Sequence, residues 1–316
     1  MWKNRNIISI TDISRLEFFE LFSVAFKMKK IVEEQGKCDK AYGKVLGNIF
    51  YEPSTRTSCS FQVAMMRLGG DIVNIQGTNS SVAKGESLND TIMTVASYTD
   101  IVVLRHPIAG VHSKFIEQYP DKIPIINAGD GSHEHPTQTM LDLFTIYSKL
   151  KRVDNICITF VGDLKHGRTV HSLCLALLKF YNISINFISP EELRIPKKIL
   201  EKLNKIKIRK EYNLSVREEY NLSNEILEMT DVLYVTRIQK ERFPDSESYE
   251  RLKNSFMITN DIMKSCSDNM ILMHPLPRIN EIAVEVDNDP RAVYFEQMKN
   301  GMYIRMALLS MILDIM

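Results

Sequence analysis

Short apolar, β-branched runs alternate with stretches whose apolar residues recur at helical spacing along most of this chain. In the first half the pattern predicts strands at 45–51, 72–75, 101–104 and 123–127. Helices are predicted between them, near 61–68, 88–98 and 113–118. A strong amphipathic helix over 136–150 closes this half. The polar segment Lys149-Leu150-Lys151-Arg152-Val153-Asp154 reads as a hinge. A second alternation follows, with strands at 156–161, 184–188, 206–210, 232–235 and 270–273. Its helices are predicted at 168–181, 196–203, 223–229 and 249–264, and the apolar run 301–316 is helical. Strands that alternate with helices point to parallel sheets with helices on their faces. The expectation is an α/β protein of two doubly wound parallel-sheet domains, with the active site in the cleft between them. The first covers 1–150, with part of a C-terminal helix at about 290–316 packing back on it. The second covers 151–289.

Composition narrows the class. The chain has 316 residues, 44% hydrophobic and 25% charged, as a globular protein with two cores would have. A net charge of +1 offers no reason to expect nucleic acid or an anionic membrane as partner. The five cysteines are odd in number and form no C-x-x-C pair, which suits reduced thiols in a reducing compartment. The N-terminal segment 13–30 is mixed, without a signal-peptide core or a membrane span. A cytoplasmic location is expected, or an organellar one after removal of a transit peptide.

Ligands of doubly wound sheets bind outside the carboxyl ends of the strands. Six predicted strand ends carry Arg, His or hydroxyl groups. After the first strand comes Glu52-Pro53-Ser54-Thr55-Arg56-Thr57-Ser58, where a strand turns into a helix. Backbone N–H groups at a helix start, its positive dipole end, short hydroxyls and an Arg fork together favour a phosphate. An ordinary Ser/Thr cap beside a surface Arg is the plain alternative. The third strand ends at Arg105-His106-Pro107, and Arg105 could equally be a surface cation. The fourth runs into Asn127 to Gln138. There His135 could be a backbone-held histidine, and Gln138 shares its helix face. Asp130, His133 and His135 could suggest a metal, but no cysteine or third ligand at helical spacing accompanies them. No metal and no cofactor are expected.

In the second half, Gly162-Asp163-Leu164-Lys165-His166-Gly167-Arg168 departs from G-x-G-x-x-G, which disfavours a dinucleotide. The segment Val235-Thr236-Arg237 ends another strand, with Gln239 nearby. His274-Pro275-Leu276-Pro277 forms a stiff loop, in which Leu276–Pro277 could be cis and carbonyls could accept from an amide. The polar loop 76–87, with Ser80, Ser81 and Lys84, is either a surface loop or a lid bringing a cation to an anion.

These segments resemble the catalytic chains of the aspartate transcarbamoylase (aspartate carbamoyltransferase) family, over essentially the whole length. The likeness rests on Ser54 to Thr57, Ser81 to Glu86, Arg105 to Pro107, Asn127 to Gln138, Val161 to His171, Thr236 to Arg242, His274 to Arg278 and Asn300 to Leu309. Ser54-Thr55-Arg56-Thr57 and His135-Pro136-Thr137-Gln138 are shared with ornithine transcarbamoylases. The loop around Lys84, the segment after Thr236 and His274-Pro275-Leu276-Pro277-Arg278 look like the aspartate enzymes. The charges agree: Arg168, Arg237 and Lys84 suit an acceptor with two carboxylates.

The resemblance implies carbamoyl transfer from carbamoyl phosphate to L-aspartate, in pyrimidine synthesis. It implies that Ser54, Thr55, Arg56, Thr57 and Arg105 hold phosphate, and that Thr57, Arg105 and His135 donate to the carbonyl oxygen. Gln138, Leu276 and Pro277 would hold the carbamoyl nitrogen, and Lys84, Arg168, Arg237 and Gln239 the aspartate. It further implies a homotrimer with shared sites, in which Ser81 and Lys84 come from the neighbouring subunit. Ser58 stands where many bacterial members carry a second Arg, with Cys59 beside it.

Overall fold

The computed structural model describes residues 2–77, 85–131, 133–207, 213–239, 242–243, 245–252 and 255–316. The chain divides into two compact units, Met1–Leu141 with Lys299–Met316, and Asp142–Met298.

The first unit begins with α1 (Arg15–Gln35), which the mixed pattern of 13–30 did not reveal. Its start is a capping box: the Ser14 hydroxyl accepts from the Glu17 N–H, and Glu17 accepts from the Ser14 N–H at 2.7 Å. Strands β1 (Val45–Phe50), β2 (Asp71–Gln76), β3 (Ile101–His106) and β4 (Ile125–Asp130) form one parallel sheet in the order β2-β1-β3-β4. Helices α2 (Thr55–Leu68), α3 (Leu88–Ala96) and α4 (Val111–Gln118) connect them. Strand β1 is buried from Leu46 onward and β4 throughout, as continuous apolar runs require when both faces are covered. Ile49, Ile92, Val102, Leu104, Phe115 and Ile125 form a core between β1, α3, β3, α4 and β4. The chain winds from β1 to β2 in one direction, then returns past β1 to β3 and β4. The point of reversal lies between β1 and β3, where Phe50 is in register with Arg105.

The second unit repeats the plan. Strands β5 (Ile156–Val161), β6 (Ile183–Ile188), β7 (Ser215–Glu219), β8 (Val232–Val235) and β9 (Ile271–Met273) lie parallel in the order β7-β6-β5-β8-β9. Its reversal falls between β5 and β8. Helix α5 (Pro136–Leu150) spans the division at Leu141, and α6 (Arg168–Leu177) follows β5.

Three readings of the pattern need correction. No strand covers the described part of 206–210, because helix α7 (Lys197–Lys207) runs into it. The period of two in Ile-Lys-Ile-Arg-Lys competes there with a helical period through the buried Ile199 and Leu203. The edge strand is β7 instead. Its residues Ser215-Val216-Arg217-Glu218-Glu219 are half-exposed and too polar to stand out. The helix expected over 249–264 is two. After α8 (Asn224–Met229) come α9 (Ser246–Leu252) and α10 (Asn260–Lys264), the latter capped by the Thr259 hydroxyl, while Ile258 bridges to Ile282. The last helix, α11 (Tyr294–Ile312), begins seven residues before the apolar run at Gly301. None of the described helices is long and apolar enough to cross a membrane.

Two glycines hold the strand ends close. Gly131 has φ +57, and a Cβ there would lie 2.4 Å from the Pro107 carbonyl oxygen. Gly162 has φ +116, and its Cβ would lie 2.2 Å from the Thr236 oxygen. Both positions exclude any other residue, by conformation and by space.

Candidate active site

In the first unit the predicted groups surround the reversal between β1 and β3. Ser54 is the N-cap of α2, yet its side chain makes no capping bond. The hydroxyl and the first N–H groups of α2 therefore sit at the positive end of the helix without mutual satisfaction. Thr55 and Arg56, on the first turn, are exposed, while Thr57 is buried. The Thr57 hydroxyl lies 3.3 Å from Nε2 of the buried His135. His135 itself stands at the start of α5. Its carbonyl accepts from the Gln138 N–H at 3.0 Å, and Gln138 is buried one turn into the helix. Two helix N-termini are thus joined through their first-turn side chains.

The loop before His135 is fastened by Asp130. One of its oxygens accepts from the Glu134 N–H at 2.8 Å, the other from the Gly110 N–H at 3.0 Å and from His133 Nδ1 at 3.0 Å. Burial pushes the Asp130 carboxyl upward, but these donors outweigh it and hold the group below its ordinary value. Glu134 is tied in turn to the Ser9 hydroxyl at 2.7 Å and the Ile10 N–H at 2.8 Å. Asp130 and His133, considered above as metal ligands, are engaged with each other and with backbone.

Arg105 closes β3. Its Nε donates to the Glu52 carboxylate at 3.1 Å, and the pair is mostly shielded from water. Burial lowers the Arg105 pKa against the pull of Glu52, yet a guanidinium remains a cation at any working pH. The sequence pattern assigned Glu52 no role, although an acid two residues after β1 facing an Arg at the end of the neighbouring strand is a legible sign.

A brace behind the two helices also escaped notice. The guanidinium of Arg305, buried on α11, donates to Ser60 Oγ on α2 at 3.0 Å and to Thr137 Oγ1 on α5 at 3.3 Å. It lies 5.0 Å from the Phe61 ring centre.

In the second unit Arg168 is the first residue of α6 and follows β5, while Arg237 follows β8, two residues beyond its end. Both are half-buried, as is Gln239. The strand ends are tied by the Thr236 hydroxyl, which donates to the Val161 carbonyl at 3.2 Å. The two arginines therefore follow the two strands that border the reversal between β5 and β8. Beyond β9, Leu276–Pro277 is cis and Leu276 has φ +53. The Leu276 N–H donates to His274 Nδ1 at 2.8 Å, and His274 Nε2 meets Glu281 Oε1 at 2.7 Å. Ser81 and Lys84 lie outside the described residues.

Each unit thus presents hydrogen-bond donors and cations at the reversal of a parallel sheet, which defines a two-domain α/β protein built to hold small anions. Residues 5–148 match the family model for the aspartate/ornithine carbamoyltransferase carbamoyl-P binding domain, and residues 154–312 that for the Asp/Orn binding domain. The chain is 47% identical to the aspartate carbamoyltransferase catalytic subunit of Methanocaldococcus jannaschii, covering 98% of each. A crystal structure of aspartate transcarbamoylase from Trypanosoma cruzi, in complex with N-(phosphonacetyl)-L-aspartic acid, superposes with TM-score 0.93 at 39% identity, over 99% of this chain and 97% of that one. The multifunctional protein pyr1-3 of Dictyostelium discoideum is 52% identical over 98% of this chain, which spans 13% of that protein's length. The chain belongs to the aspartate/ornithine carbamoyltransferase family.

Proposed function

We propose that this chain is an aspartate carbamoyltransferase, which moves the carbamoyl group of carbamoyl phosphate onto the α-amino group of L-aspartate in de novo pyrimidine biosynthesis. The products are N-carbamoyl-L-aspartate and phosphate. The observation that carries the reading is the Thr57–His135 pair at two helix N-termini, with Arg105 ending β3, the strand that lies between β1 and β4. Negative charge develops on the carbonyl oxygen as the amine attacks, and donors preorganised at that point lower the barrier. A new N–C bond forms, the bond from carbon to the phosphate oxygen breaks, and the amine proton leaves with phosphate.

In this reading the first domain, 1–150 with the C-terminal helix of about 290–316, binds carbamoyl phosphate. Ser54, Thr55, Arg56, Thr57 and Arg105 take the phosphate; Thr57, Arg105 and His135 take the carbonyl oxygen. The nitrogen is held by Gln138 and by the backbone at Leu276 with Pro277. The second domain, 151–289, binds aspartate through Arg168, Arg237 and Gln239, joined by Lys84. Two Arg forks match two carboxylates, whereas the cationic side chain of ornithine would be repelled. Ser81 and Lys84 reach the site from a neighbouring subunit of a cytoplasmic homotrimer. The chemistry runs on positioning and charge stabilisation, with no covalent intermediate and no cofactor.

Phosphate release from carbamoyl phosphate, measured with aspartate, ornithine and related amines as acceptors, tests the reading. Turnover confined to aspartate is expected. Turnover with another acceptor would move the assignment within the family, and no turnover with any would leave a ligand-binding relative.

A further inference from the structure

A chain of fully buried hydrogen bonds in the second unit ends at the Pro275-Leu276-Pro277 loop. Its members are Asp142 on α5, Tyr234 on β8, Gln297 on α11 and His274 after β9, each at most 1% exposed. An ionised carboxylate can only accept. The Tyr234 hydroxyl donates to one Asp142 oxygen at 2.9 Å, and Gln297 Nε2 donates to the other at 2.7 Å. Burial and the nearby Asp142 charge keep the Tyr234 hydroxyl protonated, well above its ordinary pKa.

This arrangement decides which way round the Gln297 amide lies. Its nitrogen must face Asp142, so its oxygen faces the loop, where it accepts from the His274 N–H at 3.0 Å. The His274 ring continues the sequence of directions. Nδ1 accepts from the Leu276 N–H, so the ring proton sits on Nε2 and is given to Glu281. Glu281 takes the Ile279 and Asn280 N–H groups on its other oxygen, both at 3.1 Å. Burial pushes Glu281 upward, but His274 and backbone N–H groups, that of Ile279 among them, hold its carboxyl below the usual range. Leu276 occupies a left-handed conformation that a branched side chain rarely adopts and that its surroundings must support.

We propose that Asp142 and Gln297 are positioning residues for recognition of the carbamoyl nitrogen. Asp142 orients the Gln297 amide, the amide anchors His274, and His274 holds Leu276 in the conformation that presents the loop backbone to the donor's NH2 group. The proposal rests on the reading above that Leu276 and Pro277 meet that nitrogen. Neither Asp142 nor Gln297 touches substrate.

The test compares three ligands on the full chain: carbamoyl phosphate, acetyl phosphate, which has a methyl group in place of NH2, and inorganic phosphate. Gln297→Glu sets a second carboxylate against Asp142. The pair Asp142→Asn with Gln297→Glu reverses the first bond, since the new amide at 142 donates to the new carboxylate at 297, which still accepts from His274. Loss of one buried partner is expected to erode the preference for carbamoyl over acetyl phosphate about tenfold in Gln297→Glu. Phosphate affinity should stay unchanged, and the paired change should restore the preference. Gln297→Asn, too short to reach the His274 N–H, should show the same selective loss and serves if Gln297→Glu does not fold. A preference that survives these changes, or a parallel loss for all three ligands in folded protein, overturns the positioning role alone. A native chain without any preference for carbamoyl over acetyl phosphate overturns the carbamoyl reading and the positioning role together.

Discussion

The Thr57 hydroxyl and His135 Nε2 stand 3.3 Å apart, although 78 positions separate them in the chain. Each sits at the start of its own helix, so both partial positive ends are directed at one spot. If an oxyanion forms there, removing one donor costs turnover more than affinity. His135→Ala is expected to lower kcat about 10²–10³-fold. Steady-state kinetics in both substrates check this, and a change confined to KM would remove His135 from the reacting centre.

Arg56 is exposed on the first turn of α2, where in the proposed reaction charge builds on the departing phosphate. Arg56→Ala should lower turnover further than His135→Ala, because it withdraws a full cation from the leaving group. Since the side chain is exposed, the thermal midpoint should stay put. Near-normal turnover would exclude Arg56 from the site.

The proposed sharing of sites within a trimer makes a distinctive forecast. Arg105→Ala and Lys84→Ala should each abolish activity alone. Mixed and reassembled, they should regain part of it, because one kind of interface then has both halves intact. Absence of recovery in trimers proven mixed by mass would rule out sharing.

Asp130 links this loop to acid stability. Its folded pKa lies below the ordinary 3.8, so its contribution is fully present above that value. The contribution fades as pH falls through the folded pKa, once both states bind the proton. The urea midpoint of Asp130→Asn should therefore fall below that of the native chain at pH 6, with the gap narrowing as pH drops below 4. A gap that widens on acidification would reverse the sign and refute the account.

Arg305 braces α2 against α5 through Ser60 and Thr137. Arg305→Met keeps the aliphatic stem and leaves two hydroxyls without their donor. Unfolding by urea should show a loss of about 1–3 kcal/mol. An unchanged midpoint would mean that desolvating the guanidinium already cancels its bonds.

Much of the fold was legible because strand and helix periods are local. The buried strands β1, β3, β5 and β8 are apolar runs bounded by polar junctions, and their ends were found within a few residues. The family motifs were legible for the same reason, being short and contiguous. Helix α1 was missed because its apolar face is diluted by Lys and Glu, and its capping box at Ser14 and Glu17 was the available signal. Strand β7 was misplaced because a polar edge strand carries little hydrophobic pattern and exists through its pairing with β6.

The sequence alone determined which residue types stand at each strand-to-helix junction, and with them the chemistry on offer: hydroxyls, guanidinium groups, imidazole and a proline-stiffened loop. Tertiary structure decided which of these meet. Strand order placed Phe50 beside Arg105 and so created the reversal point. Folding brought Thr57 to His135, Glu52 to Arg105, and Gln297 between Asp142 and His274. Such pairings join residues distant in the chain. No local period encodes them, since their geometry arises only when packed elements bring complementary polar groups within reach.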